Sequence, residues 1–199
     1  SLQSGSMSPD WAWDAKSIIA ASPAAAGLTA LWRLDLASRS WTRITSGLFN
    51  DERPAWSPDG ARVAFSRADS DGVRHIFVCD AAGGNVRQLT SGTSDEQHPA
   101  WDPTEMRIVY TRTGTDGDQD LYSVGLDGSS PRVVLDSSEN EWDPCFSRDG
   151  RYLAFAQGNE ATDVEVMVLN VRGDTIANIT QAPGSREWDP TFSPDGTRI

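Results

Sequence analysis

Short apolar runs alternate with polar clusters along the whole chain, and no stretch keeps the 3.6-residue period of an amphipathic helix. Arg62-Val63-Ala64-Phe65-Ser66 and His75-Ile76-Phe77-Val78-Cys79 read as strands, separated by the polar loop 68–73. Ala81-Ala82-Gly83-Gly84 then turns the chain into a further strand, Val86-Arg87-Gln88-Leu89-Thr90. Before these, 55–57 forms a short strand that ends in the turn Ser57-Pro58-Asp59-Gly60, where Pro presets φ, Asp caps and Gly takes the left-handed conformation. The same order holds in the other segments. Arg107-Ile108-Val109-Tyr110 matches Tyr152-Leu153-Ala154-Phe155, and 121–124 matches 164–169. The first segment contributes Ser17-Ile18-Ile19-Ala20, 30–34 and Trp41-Thr42-Arg43-Ile44.

The pattern is a repeat. Pro54-Ala55-Trp56-Ser57-Pro58-Asp59-Gly60 returns as Pro99-Ala100-Trp101-Asp102-Pro103-Thr104-Glu105, as Pro144-Cys145-Phe146-Ser147-Arg148-Asp149-Gly150 and as Pro190-Thr191-Phe192-Ser193-Pro194-Asp195-Gly196. A decayed copy starts at Pro9, so the prolines stand at 9, 54, 99, 144 and 190. A four-stranded antiparallel unit recurring at this period predicts an all-β fold, a β-propeller, because a β-sandwich has evenly spaced strands but does not repeat its sequence. The expected blades are 9–53, 54–98, 99–143 and 144–189, with the start of a fifth at 190–199. The lead, 1–8, has no apolar core of a signal peptide and reads as a processed end or tag. Trp56, Trp101, Phe146 and Phe192, inside the first strand of their units, are expected in the core.

The unit Pro-x-(Trp/Phe)-Ser-Pro-Asp-Gly, followed by strands like 62–66 and 76–78 and by Arg87-Gln88-Leu89-Thr90, resembles the WD-repeat-like propeller of the TolB C-terminal domain over 9–199. Ala12-Trp13-Asp14-Ala15 and Thr104-Glu105 depart from its turn. The resemblance implies a ring that is commonly six-bladed, a non-enzymatic binding role and a periplasmic or extracellular place. The same repeat also occurs in the propellers of prolyl-oligopeptidase-type peptidases. Four and a fraction units suggest either a piece of a larger ring or a homo-oligomer that completes one.

Composition sharpens this reading. The 199 residues carry 17 Lys and Arg against 29 Asp and Glu, a net charge of −12. Nucleic-acid binding depends on basic residues that neutralise phosphates, so none is expected. Docking on an anionic membrane surface is equally disfavoured, and no apolar run is long enough for membrane insertion. Eight Trp argue against disorder.

Antiparallel strands alternate direction, so the four-to-one and two-to-three loops of every blade should emerge on one face. Those loops (46–53, 68–73, 91–98, 113–120, 136–143, 158–163 and 181–189) hold seventeen acids but only Arg53 and Arg186 as bases. Such a field attracts a protein or peptide that presents basic and apolar groups. Glu141-Trp142-Asp143-Pro144 and Glu187-Trp188-Asp189-Pro190, near the channel mouth, are its sharpest part, and Glu52 and Glu96 are further candidate binding residues on the same face. Trp142 and Trp188 read either as a binding hot spot, as sugar platforms or as packing between blades.

Catalytic signatures are missing: no nucleophile elbow, zinc spacing or phosphate-cradling loop occurs. His75 falls in a strand and His98 in a loop. Asp116, Asp118 and Asp120 have the one-three-five spacing of calcium ligands, but Leu121 and Asp127 stand where an EF-hand has Gly and Glu. They are the candidates for a Ca²⁺ ion; no other cofactor is expected. Cys79 and Cys145 read as separate core residues, and Asn178-Ile179-Thr180 as an accidental sequon inside a strand.

Overall fold

The computed structural model describes residues 7–159, 161, 163–173, 175–182 and 184–199. Most of the lead (1–6) and Glu160 of the acidic set lie outside the described residues. The chain divides into two compact units, Ser1–Pro99 and Ala100–Ile199.

Four four-stranded antiparallel sheets account for nearly all regular structure, and each is a propeller blade. The first unit holds β1 (Met7–Trp11), β2 (Ser17–Pro23), β3 (Thr29–Asp35) and β4 (Ser40–Arg43), then β5 (Asp51–Trp56), β6 (Arg62–Ala68), β7 (Arg74–Asp80) and β8 (Arg87–Gln88). Strand β9 (Asp95–Asp102) runs across the division and opens the third sheet, followed by β10 (Arg107–Thr113), β11 (Gln119–Gly125) and β12 (Arg132–Leu135). The fourth sheet contains β13 (Asn140–Phe146), β14 (Tyr152–Asn159), β15 (Asp163–Asn170) and β16 (Thr175–Asn178). A single 3-10 turn, Ala25–Gly27, is the only helical element among the described residues.

The first strand of each blade starts earlier than the sequence suggests. Proline has no N–H for the ladder, so it reads as a strand start, yet it is also tolerated at a bulge. The structure uses the bulge. Pairing of β5 with β6 shifts between Glu52 and Ala55, and pairing of β13 with β14 shifts between Trp142 and Cys145. At each shift the residue before the proline is left-handed: Arg53 has φ 52° and Asp143 has φ 53°. Ser8, His98 and Asp189 share that conformation, so the irregularity belongs to the repeat. Asp51, Glu52, Asp95, Glu96, Glu141 and Asp143 are therefore strand residues, a correction to their expected place in loops.

The turn after each first strand closes on itself. Ser57 Oγ donates to Asp59 Oδ1 at 2.6 Å and accepts from the Arg62 backbone N–H at 2.9 Å. The Ala61 N–H reaches the same Asp59 oxygen, and Gly60 takes φ 68°. Ser147, Asp149 and Gly150 repeat the network, as do Ser193, Asp195 and Gly196. In the third blade Asp102 takes the serine's place and caps Thr104 and Glu105, while Met106 carries the positive φ.

Each unit has its own core. Ile19, Leu31, Trp56, Val63 and Phe65 pack together in the first, and Val109, Leu121, Phe146, Leu153 and Phe155 in the second. Trp56, Trp101 and Phe146 are buried as expected; Phe192 is only half-buried, in a segment that forms the Ser193 turn without a strand. Both cysteines are free, Cys79 buried and Cys145 half-buried. Asn178 ends β16, with Ile179 and Thr180 beyond it, so the sequon is not wholly within a strand. The Thr180 hydroxyl is turned to Glu165.

Candidate binding site

The site is built from positions that recur at the blade period. The residue that opens the first strand, or in β5 the one just before it, fastens the preceding blade. Asn50 Oδ1 accepts the Thr29 N–H at 3.2 Å, Asp95 Oδ1 the Arg74 N–H at 2.8 Å and Asn140 Oδ1 the Gln119 N–H at 3.0 Å. Sequence reasoning missed this fastening, although an Asx residue at 50, 95 and 140 was its visible signal.

One residue further on is always an acid: Asp51, Glu96, Glu141 or Glu187. In the first unit these acids meet bases. Arg67 grips Asp51 through two bonds, Nε–Oδ1 at 2.6 Å and Nη2–Oδ2 at 3.0 Å, and its guanidinium lies 4.5 Å from the Phe49 ring centroid. His75 Nδ1 stands 3.2 Å from Glu96 Oε2, and its Nε2 stands 3.8 Å from Asp69. Arg74 holds Asp95 at 2.8 Å and approaches half-buried Glu52 at 3.8 Å. His98, drawn into β9, has its pKa pushed down to about 3 by burial first and by Arg53 and Arg74 next. It is a neutral imidazole at any ordinary pH.

The second unit is different. Gln157, not an arginine, faces Glu141 and donates to its Oε1 at 2.8 Å, beside the Ser137 hydroxyl. Glu141 is 0% exposed, its Oε2 has no hydrogen-bond partner, and burial raises its pKa. Trp142 is also buried, at 3% exposure, but Trp188 is 40% exposed. Their ring centroids are 5.4 Å apart with planes inclined by 37°, inside the range of a favourable aromatic pair. Trp188 is carried by a short extension that docks on β15: Val164 N–H donates to Ser185 O at 3.2 Å, and Glu187 N–H to Val164 O at 3.0 Å. Glu187 is half-buried and accepts from the Ser185 hydroxyl, while Asp189 is exposed.

The structure thus brings Trp142, Trp188, Glu187 and Asp189 into one neighbourhood of the second unit. It leaves Glu141 and Asp143 buried in the strand beneath. Glu52 and Glu96 belong to the first unit, where both are engaged by bases. Asp116, Asp118 and Asp120 do not converge on a metal position. Asp116 Oδ1 accepts the Asp118 N–H at 3.3 Å within its own turn, and among the described residues no group of three or more His, Cys, Asp or Glu could hold a metal ion.

Known proteins share this architecture. The TolB beta propeller domain matches the chain over residues 1–199. The chain belongs to that family. TolB of Acinetobacter baumannii superposes with TM-score 0.80 at 23% identity, over 96% of this chain and 47% of that one. A protein described as a TolB from Agrobacterium tumefaciens gives 0.80 at 25% identity, over 96% of this chain and 67% of that one. A puromycin-hydrolysing peptidase of Mycobacterium tuberculosis follows at 0.68 and 17%, over 88% of this chain and 31% of that one, a likeness of fold alone. This TolB-type chain therefore spans about half the length of the A. baumannii protein. Among curated proteins, none matches its sequence.

Proposed function

We propose that this TolB-type propeller is a non-enzymatic, periplasmic binding scaffold that engages a protein or peptide through Trp188 and the acids around it. The observation that carries the reading is the tryptophan pair: a half-exposed indole held against a buried one, with Glu187 and Asp189 on either side in sequence. A large aromatic whose backing is already ordered loses little freedom on binding, which is how interface hot spots work. Acids beside it favour a partner that carries Lys or Arg near an apolar side chain. The periplasmic placement rests on family membership. The histidine arrangement also favours binding over catalysis, because the ring nitrogens of His75 are met by carboxylates, Glu96 at Nδ1 and Asp69 at Nε2, and not by a nucleophile that it could activate.

Selection from a displayed random-peptide library on the full chain tests this. Recovered sequences should combine basic and apolar residues, and their binding should weaken as salt rises. Trp188→Ala should weaken it by at least about tenfold, a hot-spot loss near 1.4 kcal/mol. Glu187→Lys with Asp189→Lys should slow association and flatten the salt dependence. Peptides that bind all variants alike would remove Trp188 and its acids from the contact.

A further inference from the structure

Asp-Gly occurs six times in the chain, at 59–60, 71–72, 116–117, 127–128, 149–150 and 195–196. The dipeptide carries a reaction of its own: the glycine amide nitrogen can attack the aspartate carboxyl carbon, and no side chain on the second residue obstructs it. All six stand in one kind of turn. Each glycine has a positive φ and donates its N–H to the carbonyl three residues back, as Gly60 does to Ser57 and Gly72 to Asp69. That shared backbone leaves the aspartate side chain to distinguish them.

In five of the turns the carboxylate is tied to the N–H two residues on. Asp59 Oδ1 accepts from Ala61 at 2.9 Å, Asp116 from Asp118 at 3.3 Å, Asp127 from Ser129 at 2.9 Å, Asp149 from Arg151 at 3.1 Å and Asp195 from Thr197 at 3.1 Å. Serine hydroxyls add a further bond to Asp59, Asp149 and Asp195. The hydroxyl first and the backbone N–H next hold these three carboxyls below the ordinary carboxylate range, and an ionised carboxylate is a poor electrophile. Asp71 is the exception. The N–H that would tie it, that of Val73, donates instead to Asp69 Oδ1 at 3.0 Å, as does the N–H of Asp71 itself at 2.9 Å. Asp69 thus closes the turn, and the exposed Asp71 carboxyl has no hydrogen bond among the described residues.

We propose that Asp71-Gly72 is a site of spontaneous conversion to isoaspartate, because Asp69 takes the amide that would otherwise hold the Asp71 carboxyl still. The Gly72 nitrogen bonds to Asp71 Cγ, a Cγ–O bond of the protonated carboxyl breaks, and the departing hydroxyl leaves with the amide proton as water. The succinimide so formed takes up one water at either carbonyl. It reopens to aspartate or to isoaspartate, in which the main chain runs through Cγ. The new linkage adds one carbon to the main chain within the turn that joins β6 to β7. Asp69, which holds that turn, also stands 3.8 Å from His75 Nε2, so the change bears on the carboxylate that meets His75. Nothing in this chemistry depends on a partner at Trp188.

The test keeps the full chain near neutral pH at body temperature for several weeks, beside a sample held unfolded in guanidinium chloride. Trypsin releases residues 68–74 as one peptide, and electron-transfer fragmentation tells isoaspartate from aspartate at each of the six sites. In the folded chain Asp71 should convert at least about fivefold faster than any of the five tied aspartates, the rate cost of first breaking one hydrogen bond. In the unfolded sample all six should convert at similar rates. Conversion at Asp71 no faster than at the others in the folded chain would overturn the proposal. So would the same preference for Asp71 in the unfolded sample, since the sequence and not the turn would then select it. Both measurements use the wild-type chain, so no variant has to fold.

Discussion

Asp10 shows what one side chain can do to a repeat. Other blades place Ala55, Ala100 or Cys145 at its position in the first strand, whereas Asp10 is an acid with its Oδ2 2.7 Å from the Trp56 backbone nitrogen. Burial pushes its pKa up to about 6, against the lowering effect of the hydrogen bonds from the Trp56 and Trp11 backbones. The first unit is thus stabilised by a protonated Asp10 in acid, and that contribution fades as pH climbs from about 4 through about 6. A rise of about two pKa units corresponds to roughly 3 kcal/mol at the alkaline end. Asp10→Asn keeps an acceptor for Trp56 but cannot ionise. Its melting midpoint should exceed that of the wild type by several degrees near pH 8 and match it near pH 4. An equal shift at both values would mean that packing, not charge, governs the position.

Among the elements, turns and first strands carried different amounts of information. The Ser-Pro-Asp-Gly turns were legible because every hydrogen bond they make is local, from Ser57 to Arg62 or from Ser147 to Tyr152. The true starts of β5 and β13 were not, since a bulge at Pro54 or Pro144 depends on the partner strand and leaves the same letters as a strand beginning there. The same blindness applied to burial. Glu141 and Trp142 look like an exposed loop motif, and only the extended β13 puts them under cover. Trp188, the matching residue one period later, stays 40% exposed because no strand includes it. Element-level contacts also decide which glycines matter. A Cβ on Gly83, at φ 88°, would lie 2.0 Å from the Ile44 carbonyl oxygen of the neighbouring blade, whereas one on Gly60, at φ 68°, meets nothing within 4 Å. Gly60→Ala should cost about 1 kcal/mol, the penalty of a left-handed alanine. Gly83→Ala must also move backbone and should cost at least about 3 kcal/mol, separable in parallel denaturant melts. Equal losses would place the turn away from Ile44.

For the molecule as a whole, the repeat made the fold legible long before any contact was known, because a period shared by five prolines leaves few architectures. The ligand-facing chemistry was less legible, since acids at equivalent positions, Asp51 and Glu141, end up gripped by Arg67 in one blade and left beside Gln157 in another. For these two the difference lies in a residue sixteen positions downstream, not in the motif itself. The excess of acids should make the entire chain sensitive to ionic strength. At a net charge of −12 the folded state repels itself. Raising NaCl from about 10 mM to about 300 mM should therefore raise the melting midpoint at pH 7, by screening over a shorter Debye length. A midpoint that stayed constant or fell would show that favourable pairs such as Asp51–Arg67 and Asp95–Arg74 dominate.

The fastening by Asn50, Asp95 and Asn140 bears on how such a chain could have grown. The second and third blades each contain both a hook, the Asx side chain at the beginning, and an eye, the backbone N–H that opens the third strand. A tandem duplication of the coding segment would copy both halves together. The newcomer would arrive able to hold its predecessor and to be held by its successor, with no compensating mutation elsewhere. Lengthening by whole blades is thereby easier than lengthening by any other amount, and ring size becomes something inheritance can change in single steps.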